Sequence, residues 1–508
     1  MIEDKIGRSL NDNEKQIKSI LGESSDIIIR NFVIPAFNNC RAFILFIDGL
    51  TGTKELDDII LKPLMTNAQS SIERNFAATA GPIRALKEAG LLSPSVNETQ
   101  KWNEIFDAVL CGDTALFIEA FDTAIIMSTR GYESRSVSEP LSESEVRSAR
   151  DGFIENIRVN TSLIRRRIRD YSLRMDAMKI GERTKTDVIL VYIDNLVNKG
   201  ILEELKKRLN RIKVDSILES GYIEEFIEDA PQSIFPTIEH TERPDKAAAA
   251  ILEGRIAILI DNTPFCLVVP TVFWQYIQAT GDYYERYYIG TFIRWLRLFA
   301  LFVSLTLSSF YVMLSEFHQE MYPTLLALRI AAGREGVPFP AILEVLLMET
   351  IFEIMREAGL RMPKPVGQAV GIVGALVMGE AAVSAGLVGP ILVIVVSAAG
   401  ISSFAVPAYS MSTSFRLLRF PLILLSGSFG ILGFLGGTIV ITLHLLSLRS
   451  FGAPFLTPID PFRLPGNKDV LIRAPWWMMK KRPRITQPQD FDRQADSEQL
   501  KPKPPTNN

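Results

Sequence analysis

AAVSAGLVGPILVIVVSAAGISSFAVPAYSMSTSF (381–415) and FPLILLSGSFGILGFLGGTIVITLHLLSL (420–448) decide the fold, because neither stretch contains an Asp, Glu, Lys or Arg. Only the four residues Arg416–Arg419 separate them. A charge near the centre of a bilayer costs about 2.5–3.5 kcal/mol on insertion scales. Hydrocarbon therefore explains two such gaps in succession better than a water-soluble core does. From Met1 to about Arg297, by contrast, charges are frequent. The chain reads as a soluble N-terminal half followed by a half that crosses a membrane several times.

Bulk properties are compatible with this and do not decide it. At 508 residues the chain is too long for one compact domain. A hydrophobic content of 47% is within reach of soluble proteins, so the distribution carries the reading. The net charge of −3 argues against a nucleic-acid partner. The three cysteines, Cys40, Cys111 and Cys266, are widely spaced and form neither a disulfide framework nor a zinc pattern. The first residues, MIEDKIGRSLNDNEKQIKSI, are polar and lack a signal-peptide pattern, so the soluble half is expected in the cytoplasm.

Along the chain, residues 1–24 read as a polar lead-in. Residues 25–133 read as a first α/β subdomain, with apolar β-branched strands at 27–34 and 41–48 and a helix, turn and two strands within 102–129. The Ser-rich stretch SRSVSEPLSESE (134–145) is the linker candidate. Residues 146–280 read as a second α/β subdomain. Its strand is TDVILVYIDNL (186–196), its amphipathic helix 197–214, and its hairpin RIAILIDNTPFCLVVPT (255–271). Residues 281–448 form the expected transmembrane domain, with candidate segments 298–315, 338–357, 366–386, 388–406 and 420–447. Residues 449–508 read as a soluble tail, disordered toward its end. The fold class is thus a two-part cytoplasmic α/β region followed by an all-α polytopic bundle. Arg294 and Arg297 place the N-terminal side inside, but five spans would then put a basic tail outside. That conflict points to a re-entrant segment or to a further span within 321–333.

The sequence offers no catalytic motif and no metal-ligand spacing: His240, His318 and His444 lie far apart. No enzyme activity and no cofactor are expected. Asp48, Asp194 and Asp261 end predicted strands, where such residues can be catalytic but more commonly satisfy turn amides. LIRRRIRDY (163–171) carries Arg165, Arg166, Arg167 and Arg169, which fit a subunit interface or a solvated helix face. Within 338–357 lie Glu344, Glu349 and Glu353; with Glu357 the last two span an arc of about 80° on one helix face. Such carboxylates face protein or water rather than lipid. They fit an acidic, cation-favouring path, or an amphipathic surface helix whose Glu353 and Glu357 pair with Arg356 and Arg361. Glu380 is the only acid in 366–386 and needs a partner or water. Gly333, Gly336, Pro338 and Pro340 precede this helix as a candidate hinge. The four-residue spacings Gly367–Gly371 and Gly433–Gly437 suit close helix packing.

Several long motifs resemble one family. They are SVSEPLSESEVRSARDGFIENIRVNTSLIRRRIRD (136–170), PQSIFPTIEHTERPDKAAAAILEGRIAILIDNTPF (231–265), GDYYERYYIGTFIRWLR (281–297), EFHQEMYPTLLALRIAAGREGVPFPAILEVLLME (316–349) and EAGLRMPKPVGQAVGIVGALVMGEAAVSAGLVGP (357–390). Together they resemble the A subunit of GerA-type spore germinant receptors, from about residue 25 to 465. The resemblance implies the inner membrane of a bacterial endospore, with the N-terminal domain toward the spore core. It implies a transporter-like B subunit and a lipoprotein C subunit as partners, and nutrient sensing that starts germination. It also implies self-association, with a pentamer as the expected order, into a nutrient-gated channel for monovalent cations; a non-conducting coupling scaffold is the alternative.

Overall fold

The computed structural model describes residues 5–35, 39–52, 54, 56–62, 64–65, 96–131, 140, 143, 147–362, 379–460, 469–483 and 488–494. Most of the linker 134–145, most of the segment 366–386 (with Gly367 and Gly371) and most of 484–508 lie outside these residues. The chain forms two compact units. One gathers Met1–Pro231, Ile238–Pro270 and Lys480–Asn508; the other gathers Gln232–Thr237 and Thr271–Met479.

The first unit holds two antiparallel five-stranded sheets. Strands β1 (Ile27–Ile34), β2 (Cys40–Ile47), β3 (Val96–Thr99), β4 (Thr114–Ile118) and β5 (Ala124–Met127) run in the order β1-β2-β4-β5-β3. Strands β6 (Leu173–Ile180), β7 (Thr186–Ile193), β8 (Glu239–Thr241), β9 (Ile256–Ile260) and β10 (Cys266–Val269) run β6-β7-β9-β10-β8. The second order repeats the first, a duplication that residue patterns do not betray. Each sheet opens with two eight-residue strands in full register, Ile27 opposite Ile47 and Leu173 opposite Ile193. The β-branched and aromatic residues of β2 and β7 are buried on both faces, while β1 and β6 lie at the sheet edges and are partly exposed.

Among the described residues, the α-helices of this unit are α1 (Leu10–Leu21), α2 (Trp102–Leu110), α3 (Ile157–Arg167), α4 (Lys199–Arg211), α5 (Ser220–Ile227) and α6 (Pro244–Leu252). Residues 10–21 are not a detached polar lead-in. Leu10, Ile17 and Leu21 of α1 are buried with Trp102 and Phe106 of α2 against Phe43, Leu45 and Phe117. A narrow apolar stripe in a mostly polar helix is enough for this, because the sheet supplies the other half of the contact. On the second sheet, Ile164, Ala247 and Ile251 pack on Val191 and Leu259.

Arg165 corrects one sequence expectation. It is fully buried, and its guanidinium makes two hydrogen bonds to Asp26, of 2.9 and 3.0 Å, tying α3 to the first sheet. Arg167 pairs with Asp151. Both are buried or half-buried and used inside the chain, whereas Arg166 and Arg169 are exposed. Asp48 pairs with Arg158, Asp194 with Lys199, and Asp261 accepts the Ile157 amide at the start of α3. All three strand-end aspartates act as structural ties.

The second unit is helical, with α7 (Tyr287–Glu316), α8 (Thr324–Arg334), α9 (Ala341–Arg361), α10 (Pro390–Phe404), α11 (Tyr409–Phe429) and α12 (Ile431–Ser447). Among the described residues, only α7 is long and apolar enough to cross a bilayer; α10 and α12 are apolar but shorter. The expected single span 420–447 is two helices. Gly430, at φ 57°, reverses the chain between α11 and α12, a backbone state that disfavours residues with a Cβ. Gly433 permits the close return: a Cβ there would lie 1.9 Å from the Leu425 carbonyl oxygen. After α12 the chain does not become a free tail. A two-strand turn, β11 (Arg449–Ser450) with β12 (Ala453–Pro454), packs near the residues that precede α7. Ser450 Oγ donates to Thr237 O and accepts from Thr271 N, and Trp274 Nε1 donates to Leu456 O.

Candidate functional site

The charges of α9 are the site with the most to explain. Pro340 caps the helix start, and the connector before it contains Gly336, where a Cβ would meet nothing within 4 Å. Gly333 lies within α8, and its Cβ position is 3.4 Å from Pro390. The four proposed hinge residues therefore span the end of α8 and the connector to α9.

Each acid on α9 is tied to a different neighbour. Glu344, 1% exposed, accepts from Arg334 of α8 at 3.0 Å and from the Gly389 amide, just before α10, at 3.0 Å. Glu349, fully buried, accepts from Arg419 of α11 at 2.6 Å and from Ser308 of α7. Glu353 accepts from Arg416 of α11 at 2.6 Å. Arg416 is also held by Thr413. Arg356 donates to Ser403 of α10 and sits 4.1 Å over the Phe404 ring. Glycines let α9 come this close. A Cβ at Gly400 would meet Phe352 at 2.5 Å, and one at Gly427 would meet Ile342 at 2.3 Å.

This geometry revises the sequence reading of Glu344 and Glu349. In this conformation both are closed off from solvent and paired with arginines, so neither presents a bare carboxylate to a lumen. Glu353 is half-buried. The expected pair Glu357–Arg361 forms on an exposed face, whereas Glu353 pairs with Arg416 rather than Arg356. Glu380 is exposed on its helical turn. Arg334, Arg416 and Arg419 are the functional residues missed. Their signal was present: Glu349 and Glu353 lie four apart, Arg416 and Arg419 three apart, so each pair occupies one helix face.

A second charged cluster lies at the start of α7. Asp282, buried, accepts from Arg294 at 3.1 Å and from Arg297 at 2.8 Å. Arg294 also reaches Asp469, which belongs to the returning C-terminal segment. Burying these charges is tolerable only because each is paired and hydrogen-bonded. Among the described residues no cluster of His, Cys, Asp and Glu could hold a metal ion.

In the first unit, burial raises the Glu224 carboxyl to about 8, with Glu228 and Glu219 adding repulsion. Burial lowers the pKa of His240, whose Nδ1 is 3.9 Å from Glu224. Near neutral pH the two therefore face each other largely uncharged, rather than as an ion pair.

A family model described as Bacillus/Clostridium GerA spore germination protein matches residues 15–485. The chain is 44% identical over 497 residues to spore germination protein KA of Bacillus subtilis (strain 168), covering 98% of this chain and 90% of that protein. It is also 44% identical over 478 residues to the uncharacterized membrane protein YfkQ of the same organism, covering 94% and 91%. The crystal structure of the N-terminal domain of the A subunit of the Bacillus megaterium spore germinant receptor GerK3 aligns with 53% of this chain and 97% of its own. Its identity is 36% and its TM-score 0.43. With the family model spanning nearly the whole sequence and such relatives matching along almost its full length, the chain belongs to the GerA family of spore germination proteins.

Proposed function

We propose that the chain is the A subunit of a nutrient-responsive germinant receptor in the inner membrane of the endospore, with its α/β unit toward the spore core. Copies of it assemble, as a pentamer, around a path for monovalent cations. A transporter-like B subunit and a lipoprotein C subunit complete the receptor. Nutrient binding in the B subunit shifts the population of A-subunit arrangements toward an open one, with 333–340 as the hinge of α9.

The observation that carries this reading is the sorting of acids in the helical unit. Glu344 and Glu349 are buried and paired, while Glu357 and Glu380 are displayed at the surface of a single copy. Lipid does not accept exposed carboxylates at depth; an aqueous path between copies does. Glu344 and Glu349 then hold α9 to its neighbours, Glu353 sits at the boundary, and Glu380 faces the path. The return of the tail to the start of α7 supports an even number of crossings, with both ends of the helical unit on one side. With an even number, the basic tail lies on the inside, the side its charges favour.

The non-conducting scaffold is the second reading, favoured by the neutralisation of every interior acid. Replacing Glu357 and Glu380 by Gln separates the two. A channel subunit loses monovalent-cation release from spores that hold normal amounts of the protein. Unchanged release excludes these acids from the path and leaves the scaffold.

A further inference from the structure

The C-terminal segment 472–478 displays large apolar side chains beside the start of α7. Ile472, Trp476 and Met478 are all exposed on it, although it is firmly held. The Arg473 amide donates to Thr291 Oγ1 at 3.1 Å and its guanidinium to the Tyr283 carbonyl at 3.0 Å. Trp295 Nε1 donates to the Leu471 carbonyl at 2.9 Å. The Arg473 guanidinium lies 5.5 Å from the Trp476 ring centre, and the Tyr287 and Trp477 rings meet edge to face at 6.2 Å. The exposed apolar side chains are thus a fixed surface on a strap pinned to the start of α7.

The neighbouring face of α7 continues that surface. Tyr287, Tyr288 and Trp295 are exposed, with Phe292 between them, and so are the purely apolar Phe299 and Phe302 farther along. Arg286, exposed beside them, donates to the Tyr288 hydroxyl at 2.7 Å. The rings with a polar tip end at Trp295, and beyond it the exposed rings are bare phenyls, the order met on passing from headgroups into hydrocarbon. A protein partner would not require this gradation of polarity with depth.

We propose that residues 472–478, together with the first turns of α7, form an interfacial anchor that seats Ile472, Trp476 and Met478 among lipid headgroups. The occupant is the lipid surface itself. The anchor rests on the reading of α7 as a membrane span and extends it, since it assigns part of the C-terminal segment to the bilayer surface. It fixes the depth of the α7 start and makes that depth depend on the strap.

The test uses the full chain reconstituted in lipid nanodiscs whose acyl chains are brominated at a shallow or a deep position. Trp102, Trp274, Trp295 and Trp477 are replaced by Phe, leaving Trp476 as the only tryptophan, excited at a wavelength that the tyrosines do not absorb. Shallow bromine is expected to quench it about twofold more than deep bromine, as for interfacial aromatics. Should the multiply substituted chain not fold, the difference between wild type and Trp476→Phe alone reads the same residue. A parallel chain without native tryptophans carries Phe302→Trp on the exposed face of α7. If neither probe is quenched, the membrane reading itself falls. If the Phe302→Trp probe is quenched and Trp476 is not, the anchor is overturned, and the strap is covered by protein or faces water.

Discussion

Replacing Arg419 by Gln should cost the helical unit about 3–5 kcal/mol, the usual loss when one partner of a buried ion pair is removed. The size follows from the site. Glu349 is fully buried and Arg419 is 1% exposed, with 2.6 Å between the charged atoms. At an effective dielectric near 20, such a pair at 4 Å is worth about 4 kcal/mol before desolvation is counted. Once Arg419 is gone, Glu349 keeps only the Ser308 hydroxyl of its two side-chain partners. Glu349→Gln should cost a similar amount by stranding the guanidinium. The double variant Glu349→Gln with Arg419→Gln should lose much less than the sum, since no buried charge is left alone. The assay is the fraction of full chain that stays monodisperse in detergent after heating, completed as a double-mutant cycle. Single losses below about 1 kcal/mol that simply add in the double variant would refute the pairing. Cation release should follow the amount of folded protein; a well-folded Glu349→Gln chain that abolished release would return Glu349 to the path.

Two further substitutions probe other parts of the structure. Gly433→Ala places a methyl 1.9 Å from the Leu425 carbonyl oxygen. It should prise α12 from α11 at a cost of at least about 1–3 kcal/mol, seen as a lower melting temperature of the detergent-solubilised chain. Glu224 makes a pH-dependent contribution whose sign is fixed. Its folded pKa, about 8, lies above its ordinary value of 4.5. Between those values the folded state holds a proton that the unfolded state has released, so stability falls as pH rises and the loss is complete above about 8. Glu224→Gln should remove that slope. Amide-exchange protection in α5 should then match wild type near pH 5 and exceed it near pH 8, by on the order of 2–4 kcal/mol at about 1.4 kcal/mol per pH unit.

Part of each sheet was legible because its signal is local. The expected strands 27–34, 41–48 and 186–196 combine β-branched residues with turn residues at their ends and match β1, β2 and β7 to within three residues, whereas β3, β6 and β8, which are more polar, were not expected. Burial of α1 was not legible, since four apolar residues in a polar helix mean little until a sheet is placed beneath them. The break at Gly430 escaped because hydropathy sums side chains and is blind to a backbone φ. The acids of α9 were singled out correctly as residues that need company. Their company was not found, because Arg416 and Arg419 lie some seventy positions away and only tertiary packing brings them to Glu353 and Glu349. Arg165 failed for the same reason, its partner Asp26 lying 139 residues earlier.

The link between Arg294 and Asp469 joins residues 175 positions apart. Ribosomes add about 5–20 residues each second, so roughly 10–35 s pass between the synthesis of one partner and that of the other. Throughout that interval the growing chain holds an arginine whose final carboxylate does not yet exist. The helical unit can therefore reach its finished state only near the end of translation, and a message cut short before codon 469 yields a product that lacks this closure.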